Sequence, residues 1–406
     1  MNAVPKHAGA DAADIRHFHI NVPEAKLTEL RRRINATVWP DNEPADEAAP
    51  GVTLATLQKL ASYWATEYDW RKLEKRLNAV PNFITTIDGL DFHFIHVRSK
   101  HENALPLIVT HGWPGSIVEQ LKLIEPLTNP TAHGGSVADA FHVVIPSMAG
   151  YGFSGKPSGP GWDTTRMARA WAVLMERLGY SRYVAQGGDW GSFVTEQMGV
   201  QAPPGLLGIH VNLQSAVPTE IFFALGSGNP PPGLEPDEKR AFERLAFFFA
   251  NSLSYAQQMA RHPHALYGLG DSPVGLAAWI LDNDLWSHEL RTHILDGHGD
   301  GNRQGLTRDD LLDNITLYWL TNTAISAAGL YRENKLPFFA PMGIGIPVAV
   351  TVFPDEIFQL PRSWAERAYP KLVHYHKADK GGHFAAWEQP GILAQEIRAG
   401  FRTLRA

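Results

Sequence analysis

The sequence predicts an α/β protein with a mostly parallel central sheet. Short apolar runs alternate with helical patterns from Leu105 to Val211, and the alternation resumes from Ile346 to Arg402. Strands that alternate with crossover helices form parallel sheets that are covered on both faces. Between about residues 216 and 340 the alternation stops and the sequence becomes helix-rich and aromatic, which indicates a helical insertion within the α/β unit.

Composition places the chain among large globular proteins. Its 406 residues are 44% hydrophobic and include 12 Trp, which is enough material for a large core and excludes a disordered or fibrous chain. A length of this kind predicts about two to three structural units. The net charge is −6, and the sequence has no long run of charges of one sign. We therefore expect no nucleic-acid partner, because binding to a phosphate backbone needs clustered Lys and Arg.

Two absences narrow the chemistry and the location. The chain has no Cys, which excludes a disulfide framework, a thiol nucleophile and any zinc site with Cys ligands. No uninterrupted apolar run approaches about 18 residues, and the first residues lack the pattern of a signal peptide. We therefore expect a soluble, cytoplasmic protein without a membrane anchor.

The N-terminal part predicts a small helical unit followed by a hairpin. Apolar residues at spacings of three and four predict helices over Val22 to Trp39, Thr53 to Trp64 and Trp70 to Leu77. From Phe83 to Val97 the period changes to two, and Asp88-Gly89 at its centre is a pair that type I′ hairpin turns prefer.

The α/β part supplies the remaining elements. Its predicted strands are Leu105 to Thr110, His142 to Pro146, Tyr183 to Gln186, Leu207 to Val211, Ile346 to Phe353 and Leu372 to Tyr375. Its predicted helices are Ser116 to Leu127, Thr164 to Leu178, a helix from Ser192, Ser363 to Tyr369 and Ile392 to Arg402.

The strongest local signal for chemistry is Gly187-Gly-Asp-Trp-Gly191, which lies directly between a predicted strand and a predicted helix. A Gly-x-nucleophile-x-Gly turn is strained, and its small flanking residues let the central side chain project from the end of the sheet. Here the central residue is Asp189 rather than Ser. An isolated Asp in such a turn is equally typical of a helix cap.

Three further motifs follow predicted strands in the order that such a site needs. His111-Gly-Trp-Pro-Gly115 lies where a backbone donor for an oxyanion is expected, Phe353-Pro-Asp-Glu356 offers two carboxylates, and Gly381-Gly-His-Phe384 offers a base. Each of them alone is also typical of an ordinary turn or a solvated surface. Their joint order of nucleophile, acid and His favours a catalytic site.

These motifs, with Asp271 to Trp279 and the Val38-Trp-Pro40 segment, resemble the microsomal-type epoxide hydrolases of the α/β-hydrolase superfamily. The resemblance extends from about Phe18 to the C-terminus. It implies an α/β-hydrolase fold with an N-terminal helical segment at residues 1–89, a core at 90–215 and 341–406, and a helical lid at 216–340. The chain lacks the membrane anchor of the mammalian members, which implies a soluble, bacterial-type protein.

The resemblance also implies an activity, the hydrolysis of an epoxide to a vicinal diol. An Asp carboxylate attacks an epoxide carbon to form an ester, and a water molecule activated by His383 then hydrolyses that ester and regenerates Asp189. The backbone N–H groups of Trp113 and Trp190 are expected to bind the oxyanion. The family favours Glu356 over Asp355 as the acid that orients His383.

Ring opening needs a donor to the epoxide oxygen, and the family uses lid tyrosines for this purpose. The matching positions are Tyr331 and Tyr255, which the bare sequence would equally explain as lid packing. We expect no metal and no organic cofactor. The expected substrate is a small apolar or aromatic epoxide, since an aromatic lid predicts hydrophobic pocket walls; the expected assembly is a monomer or a homodimer.

Other functions remain as alternatives. A haloalkane or haloacid dehalogenase would share the Asp nucleophile and His base but would need a halide-binding pair in place of the two tyrosines. A non-catalytic binding module is disfavoured because nucleophile, acid and base are all present. A serine esterase is disfavoured because Ser192 falls outside the apex of the turn. Gly150-Tyr-Gly-Phe-Ser-Gly155 matches a dinucleotide fingerprint, but Lys156-Pro157 follows where a helix should begin.

Overall fold

The computed structural model describes residues 14–41, 52–282, 294–295 and 305–405. Its centre is a nine-stranded sheet in the order β1-β2-β3-β5-β4-β6-β7-β8-β9. The strands are β1 Arg16–His17, β2 Asn82–Ile87, β3 Leu90–Val97, β4 Leu105–Thr110, β5 Phe141–Pro146, β6 Tyr183–Gly187, β7 Leu206–Val211, β8 Val348–Val352 and β9 Leu372–Lys377. Pairing from β5 through β9 is parallel, whereas β1, β2 and β3 pair antiparallel at one edge. The predicted α/β fold with a mostly parallel sheet is confirmed.

Helices cover the sheet and fill the insertion. Before the insertion they are α1 Glu24–Asn35, α2 Leu54–Thr66, α3 Trp70–Asn78, α4 Ile117–Gln120, α5 Ile124–Thr128, α6 Thr164–Arg177 and α7 Trp190–Gln201. Between β7 and β8 lie α8 Thr219–Ser227, α9 Pro236–Phe247, α10 Ser254–Arg261, α11 Pro273–Leu281, α12 Arg308–Thr321 and α13 Ala324–Glu333. After β8 follow α14 Arg362–Ala368, α15 Ala385–Glu388 and α16 Pro390–Phe401. Among the described residues no helix is long and apolar enough to cross a membrane.

The hairpin prediction is confirmed and several predicted boundaries are wrong. Asp88 and Gly89 both have positive φ, at 51° and 78°, as a type I′ turn requires. Helix α1 is shorter than predicted because Pro23 lies outside its first turn and Ala36 ends it. The single helix predicted from Ser116 is divided into α4, a short 3-10 turn and α5.

Contacts between the N-terminal helices and α12 join the N-terminal part of the chain to the insertion between β7 and β8. The Trp64 indole N–H donates to Thr316 Oγ1 at 3.0 Å, and the Tyr68 hydroxyl donates to Asp313 Oδ1 at 2.8 Å. Trp64, Tyr68, Asp313 and Thr316 are all buried. The N-terminal helices therefore hold α12 through Asp313 and Thr316.

Helix α12 in turn holds the loop that follows β4. Asn314 Nδ2 donates to the Pro114 carbonyl at 2.7 Å, and the Tyr318 hydroxyl donates to the Gly115 carbonyl at 2.7 Å. Ser116 Oγ donates to Asn314 Oδ1, also at 2.7 Å. The His111 to Gly115 motif is thus fixed between the sheet and the insertion.

Candidate active site

Asp189 lies at the tip of a strained turn between β6 and α7. Its φ is 51° and its ψ is −130°, a conformation that non-glycine residues rarely adopt. A Cβ at Gly187 would overlap the Gly191 carbonyl, and a Cβ at Gly191 would overlap the Thr110 carbonyl. The two glycines let the strand, the turn and the helix approach closely enough to project the Asp189 side chain from the sheet end.

One oxygen of the Asp189 carboxylate is held by the backbone of the β4 loop. The Trp113 N–H donates to Asp189 Oδ1 at 2.7 Å. A Cβ at Gly112 would overlap the same oxygen, so glycine is needed there for the loop to come this close. Of the two expected backbone donors, Trp113 makes the contact, while Trp190 occupies the first position of α7.

His383 lies between two carboxylates. Its Nδ1 is 2.7 Å from Glu356 Oε1, and its Nε2 is 3.4 Å from Asp189 Oδ2. The His383 and Glu356 side chains are buried. Asp355, the alternative acid, is exposed, and its backbone N–H donates to the Gly381 carbonyl. The geometry therefore pairs His383 with Glu356.

The two carboxylates set the protonation of His383. Burial by itself lowers the pKa of His383, but the charge of Glu356 and the contact with Asp189 outweigh it and raise this pKa well above its usual value. The imidazole is therefore protonated at neutral pH as long as both carboxylates are charged. Removing either negative charge would lower the pKa.

The two candidate tyrosines line one cavity with Asp189. This cavity measures about 30 Å³. Tyr255 stacks on Trp113 with ring centroids 4.9 Å apart, and Tyr331 stands perpendicular to Trp190 at the same separation. Burial, with Tyr255 and Asp189 nearby, raises the pKa of Tyr331 well above its usual value, so the phenol stays protonated. The other walls are mainly apolar: Phe193, Leu213, Phe248, Leu253, Phe338, Phe339 and Ile357.

Ser192 and the dinucleotide fingerprint at residues 150–155 have no part in this group of side chains around Asp189. The Ser192 hydroxyl is buried and donates to the Gly187 carbonyl at 2.8 Å, so it supports the turn. Residues 150–155 form a loop, and the next helix, α6, begins only at Thr164. The dinucleotide fingerprint therefore lacks the helix N-terminus that would bind a pyrophosphate.

Sequence reasoning missed several residues around Asp189. Glu119, Gln120, Gln186 and Asn212 line a second cavity beside the Asp189 and His383 side chains. Glu119 and Gln120 follow the recognised His111 to Gly115 motif within one helical turn, and that nearness was the available signal. No sequence motif indicated Asn212. It follows β7, and it lies near Asp189 only because β7 is next to β6 in the sheet.

Known proteins match this chain over almost its whole length. Residues 15–120 match the family model described as "Epoxide hydrolase N terminus", and residues 106–222 match the model "alpha/beta hydrolase fold". The chain is 48% identical over 394 residues to a Stigmatella aurantiaca protein with a provisional epoxide hydrolase name; the match covers 97% of this chain and 86% of that one. It is 34% identical to Epoxide hydrolase 1 of Oryctolagus cuniculus, over 96% of this chain and 89% of that one.

Solved structures show the same similarity. The crystal structure of juvenile hormone epoxide hydrolase from the silkworm Bombyx mori superposes with a TM-score of 0.84 at 31% identity, covering 97% of this chain and 96% of that chain. The structure of Aspergillus niger epoxide hydrolase superposes with a TM-score of 0.78 at 29% identity, covering 96% of both chains.

Proposed function

The chain belongs to the epoxide hydrolase family of the α/β-hydrolase superfamily, and from this premise we propose that it hydrolyses its epoxide through a covalent ester on Asp189. The observation that carries the proposal is the placement of four residues around one carboxylate. Trp113 holds one oxygen, His383 faces the other, and Tyr255 and Tyr331 line the cavity that Asp189 enters.

Ring opening is the first step. Asp189 Oδ2 attacks an epoxide carbon, the carbon–oxygen bond of the ring breaks, and the departing oxygen takes a proton from a lid tyrosine. Tyr331 is suited to this role because its raised pKa keeps the phenol protonated until an alkoxide, which is a stronger base, forms beside it. The oxygen held by Trp113 becomes the carbonyl oxygen of the ester.

Ester formation prepares the second step. Esterified Asp189 carries no charge, so one of the groups that raise the pKa of His383 is lost and this pKa falls. Protonated His383 therefore releases its proton to solvent, and the tyrosine that gave its proton in the first step recovers one from solvent. Neutral His383 then takes a proton from water as the water oxygen attacks the Asp189 carbonyl carbon. The charge develops on Oδ1, where the Trp113 N–H already points, and collapse of this intermediate breaks the ester while His383 returns its proton to the departing diol oxygen.

We infer a small, largely apolar substrate. The cavity walls beside Asp189 are mostly aromatic and aliphatic side chains. Such walls bind a ligand by removing its apolar surface from water, with few polar groups to orient it. Tyr255, stacked on Trp113, and Tyr331 are then the polar groups that select the epoxide oxygen.

Trapping the ester tests the proposal. We expect His383→Gln to form an adduct with styrene oxide that acid quenching preserves, because the variant keeps the nucleophile and lacks the base. Mass spectrometry of the proteolysed protein should place the added mass on the peptide that contains Asp189. Asp189→Asn is the control and should form no adduct. A His383→Gln variant that releases diol at the native rate would contradict the base assignment.

The dehalogenase alternative is tested with the same protein. Its mechanism would need a pair of groups that stabilise a halide beside Asp189, whereas the cavity presents two phenols. We therefore expect no halide release from 1-chlorobutane or 1-bromobutane under conditions in which styrene oxide is hydrolysed.

A further inference from the structure

A second cavity meets Asp189 beside His383. It measures about 20 Å³, which is room for one water molecule. Its walls include Asp189, His383, Glu119, Gln120 and Asn212. The tyrosines belong to the other cavity, so the two cavities share Asp189 and differ in the chemistry of their walls. The first is lined mainly by apolar side chains, whereas the second contains several polar side chains beside apolar ones such as Trp113 and Phe384.

Polar atoms in this second cavity need a partner. Gln120 Oε1 and His383 Nε2 are buried and have no hydrogen-bond partner within the described part of the chain, apart from the 3.4 Å contact of Nε2 with Asp189. A water molecule at this place would satisfy both atoms. It would also lie next to the nitrogen that must take its proton.

Glu119 is the one acid in this cavity that the two-step mechanism leaves unused. It is buried on α4, one turn after the loop that holds Asp189. A Cβ at Gly115 would overlap its carboxyl group, so the glycine leaves the space that the carboxyl occupies. The backbone of Gly112 hydrogen-bonds the same carboxyl. The Glu119 carboxyl is therefore fixed by the loop on which the Asp189 contact depends.

The surroundings of Glu119 keep it neutral. Burial, reinforced by the charge of Asp189, raises the pKa of Glu119 to about 8. Below that pH its carboxyl has one O–H donor and a carbonyl acceptor, which suits a water molecule that both donates and accepts. A charged Glu119 would instead place a negative charge beside the one that develops at Asp189.

We propose that Glu119 is a positioning residue for ester hydrolysis, and that its neutral carboxyl group holds the attacking water between His383 Nε2 and the carbonyl carbon of the Asp189 ester. The inference rests on the proposed ester. In the step itself, the water oxygen bonds to the carbonyl carbon and one water proton moves to His383; the ester bond then breaks as the diol oxygen takes that proton back from His383, and Asp189 is left as a carboxyl group that loses the second water proton to solvent. Glu119 keeps its own proton throughout.

The expected effects separate the two half-reactions. Glu119→Leu should slow the decay of the ester about 10- to 100-fold, because the attacking water is no longer held in place. Ester formation with styrene oxide should change less than about threefold. Glu119→Gln, whose amide still donates and accepts, should slow ester decay less than about fivefold. Rapid acid quenching followed by mass spectrometry of the protein measures both rates.

The pH dependence of ester decay distinguishes a positioning role of Glu119 from a purely structural one. In the native protein the rate of ester decay should fall as pH rises and Glu119 ionises, at a pH below the pKa of about 8 that Glu119 has beside charged Asp189, because the ester removes that charge. Glu119→Gln should abolish that fall. The other titratable groups near Glu119 are Asp189, His383 and Tyr318, and Glu388 of α15 acts on His383. Glu388→Gln should retain the fall.

Glu196→Gln is the matched control. Glu196 is buried on α7, and burial likewise raises its pKa to about 8, but it bonds the backbone of Ser215 and Ala216, away from the second cavity. This variant should retain the fall in the rate of ester decay with rising pH. Native decay of the ester in Glu119→Leu, or a persisting fall in Glu119→Gln, would overturn the proposal. A protein in which no ester forms, even in His383→Gln, would instead contradict the proposed ester mechanism.

Discussion

At the residue scale, Glu356 and Asp355 are adjacent carboxylates in opposite surroundings. Glu356 is buried and bonds His383 Nδ1, whereas Asp355 is exposed and contributes its backbone to the loop. We expect Glu356→Gln to lower the rate of ester hydrolysis by about 10²- to 10⁴-fold, because His383 loses the acid that orients it. Asp355→Asn should stay within about twofold of the native rate, and steady-state diol formation measures both.

Glu356→Gln should also change the pH dependence in a defined direction. The charge of Glu356 raises the pKa of His383, so its removal lowers that pKa. His383 then stays neutral, and able to act as a base, down to a lower pH. The acid limb of ester hydrolysis should therefore move to lower pH in the variant. A limb that stays in place or moves to higher pH would contradict the assigned pair.

We propose that Tyr331 and Tyr255 act on the other half-reaction, the formation of the ester. Removing one hydroxyl by Tyr331→Phe or Tyr255→Phe should slow ester formation by about 10²- to 10³-fold, since a donor to developing charge is lost. Ester decay should change far less. Tyr267→Phe changes an exposed tyrosine of the same insertion between β7 and β8; it is the control and should leave both rates unchanged. Stopped-flow Trp fluorescence is a suitable measurement because Trp113 and Trp190 contact the tyrosines.

Several site residues could be predicted because their motifs follow strand ends in a fixed order. Asp189, His383 and Glu356 are brought together as the chain order indicates, while their roles stay predictions. The choice of Glu356 over Asp355 came from family resemblance, and the physical reason is burial, which the two neighbouring letters do not reveal. Asn212 could not be predicted, since its position depends on which strand lies next to β6.

At the element scale, the β6–α7 turn depends on glycines that tolerate no side chain. Gly191→Ala should lower the free energy of unfolding by about 1–3 kcal/mol or more, because its methyl group would overlap the Thr110 carbonyl. Gly329→Ala is the contrasting control. It lies within α13 where a Cβ meets no atom within 4 Å, so it should stabilise the protein by about 0.5–1 kcal/mol. Urea unfolding of both variants measures the difference.

Element boundaries were harder to predict than element types. Strand β1 has only two residues, too few for any periodic pattern. The helix predicted from Ser116 is interrupted after Gln120 by a 3-10 turn at Leu121–Leu123. Strand β1 exists through its pairing with β2, a contact with a distant part of the chain that local periodicity does not contain.

At the scale of the whole molecule, the N-terminal helices reach the active site through α12. Tyr68 bonds Asp313 on α12, and Asn314 and Tyr318 of the same helix bond the loop that carries Trp113. The sequence indicated that an N-terminal helical unit exists. It did not indicate this route, because the partners lie more than two hundred residues apart.

The buried contact between Tyr68 and Asp313 should make the free energy of unfolding depend on pH. Burial raises the pKa of Asp313 from 3.8 to about 7, against the hydrogen bond from Tyr68, which lowers it. Between these values the folded protein retains a proton that the unfolded chain has released. The free energy of unfolding therefore falls as pH rises through this window, by up to about 1.4 kcal/mol per pH unit for one proton.

Asp313→Asn should flatten that dependence, since the amide does not titrate. Urea unfolding of the native protein and the variant at several pH values measures it, and the difference between the two curves removes the contributions of Glu119, Glu196 and Glu388. A difference that does not change between about pH 4 and pH 7 would show that Asp313 is already charged in the folded protein.

The central claim is that the epoxide is attacked by Asp189 and not directly by water. A single turnover in H₂¹⁸O, with the protein in excess over styrene oxide, tests it most directly. The account predicts that the first diol carries an unlabelled oxygen taken from Asp189, and that the label appears in the peptide containing Asp189. Label in the diol of the first turnover, with an unlabelled Asp189, would contradict the account.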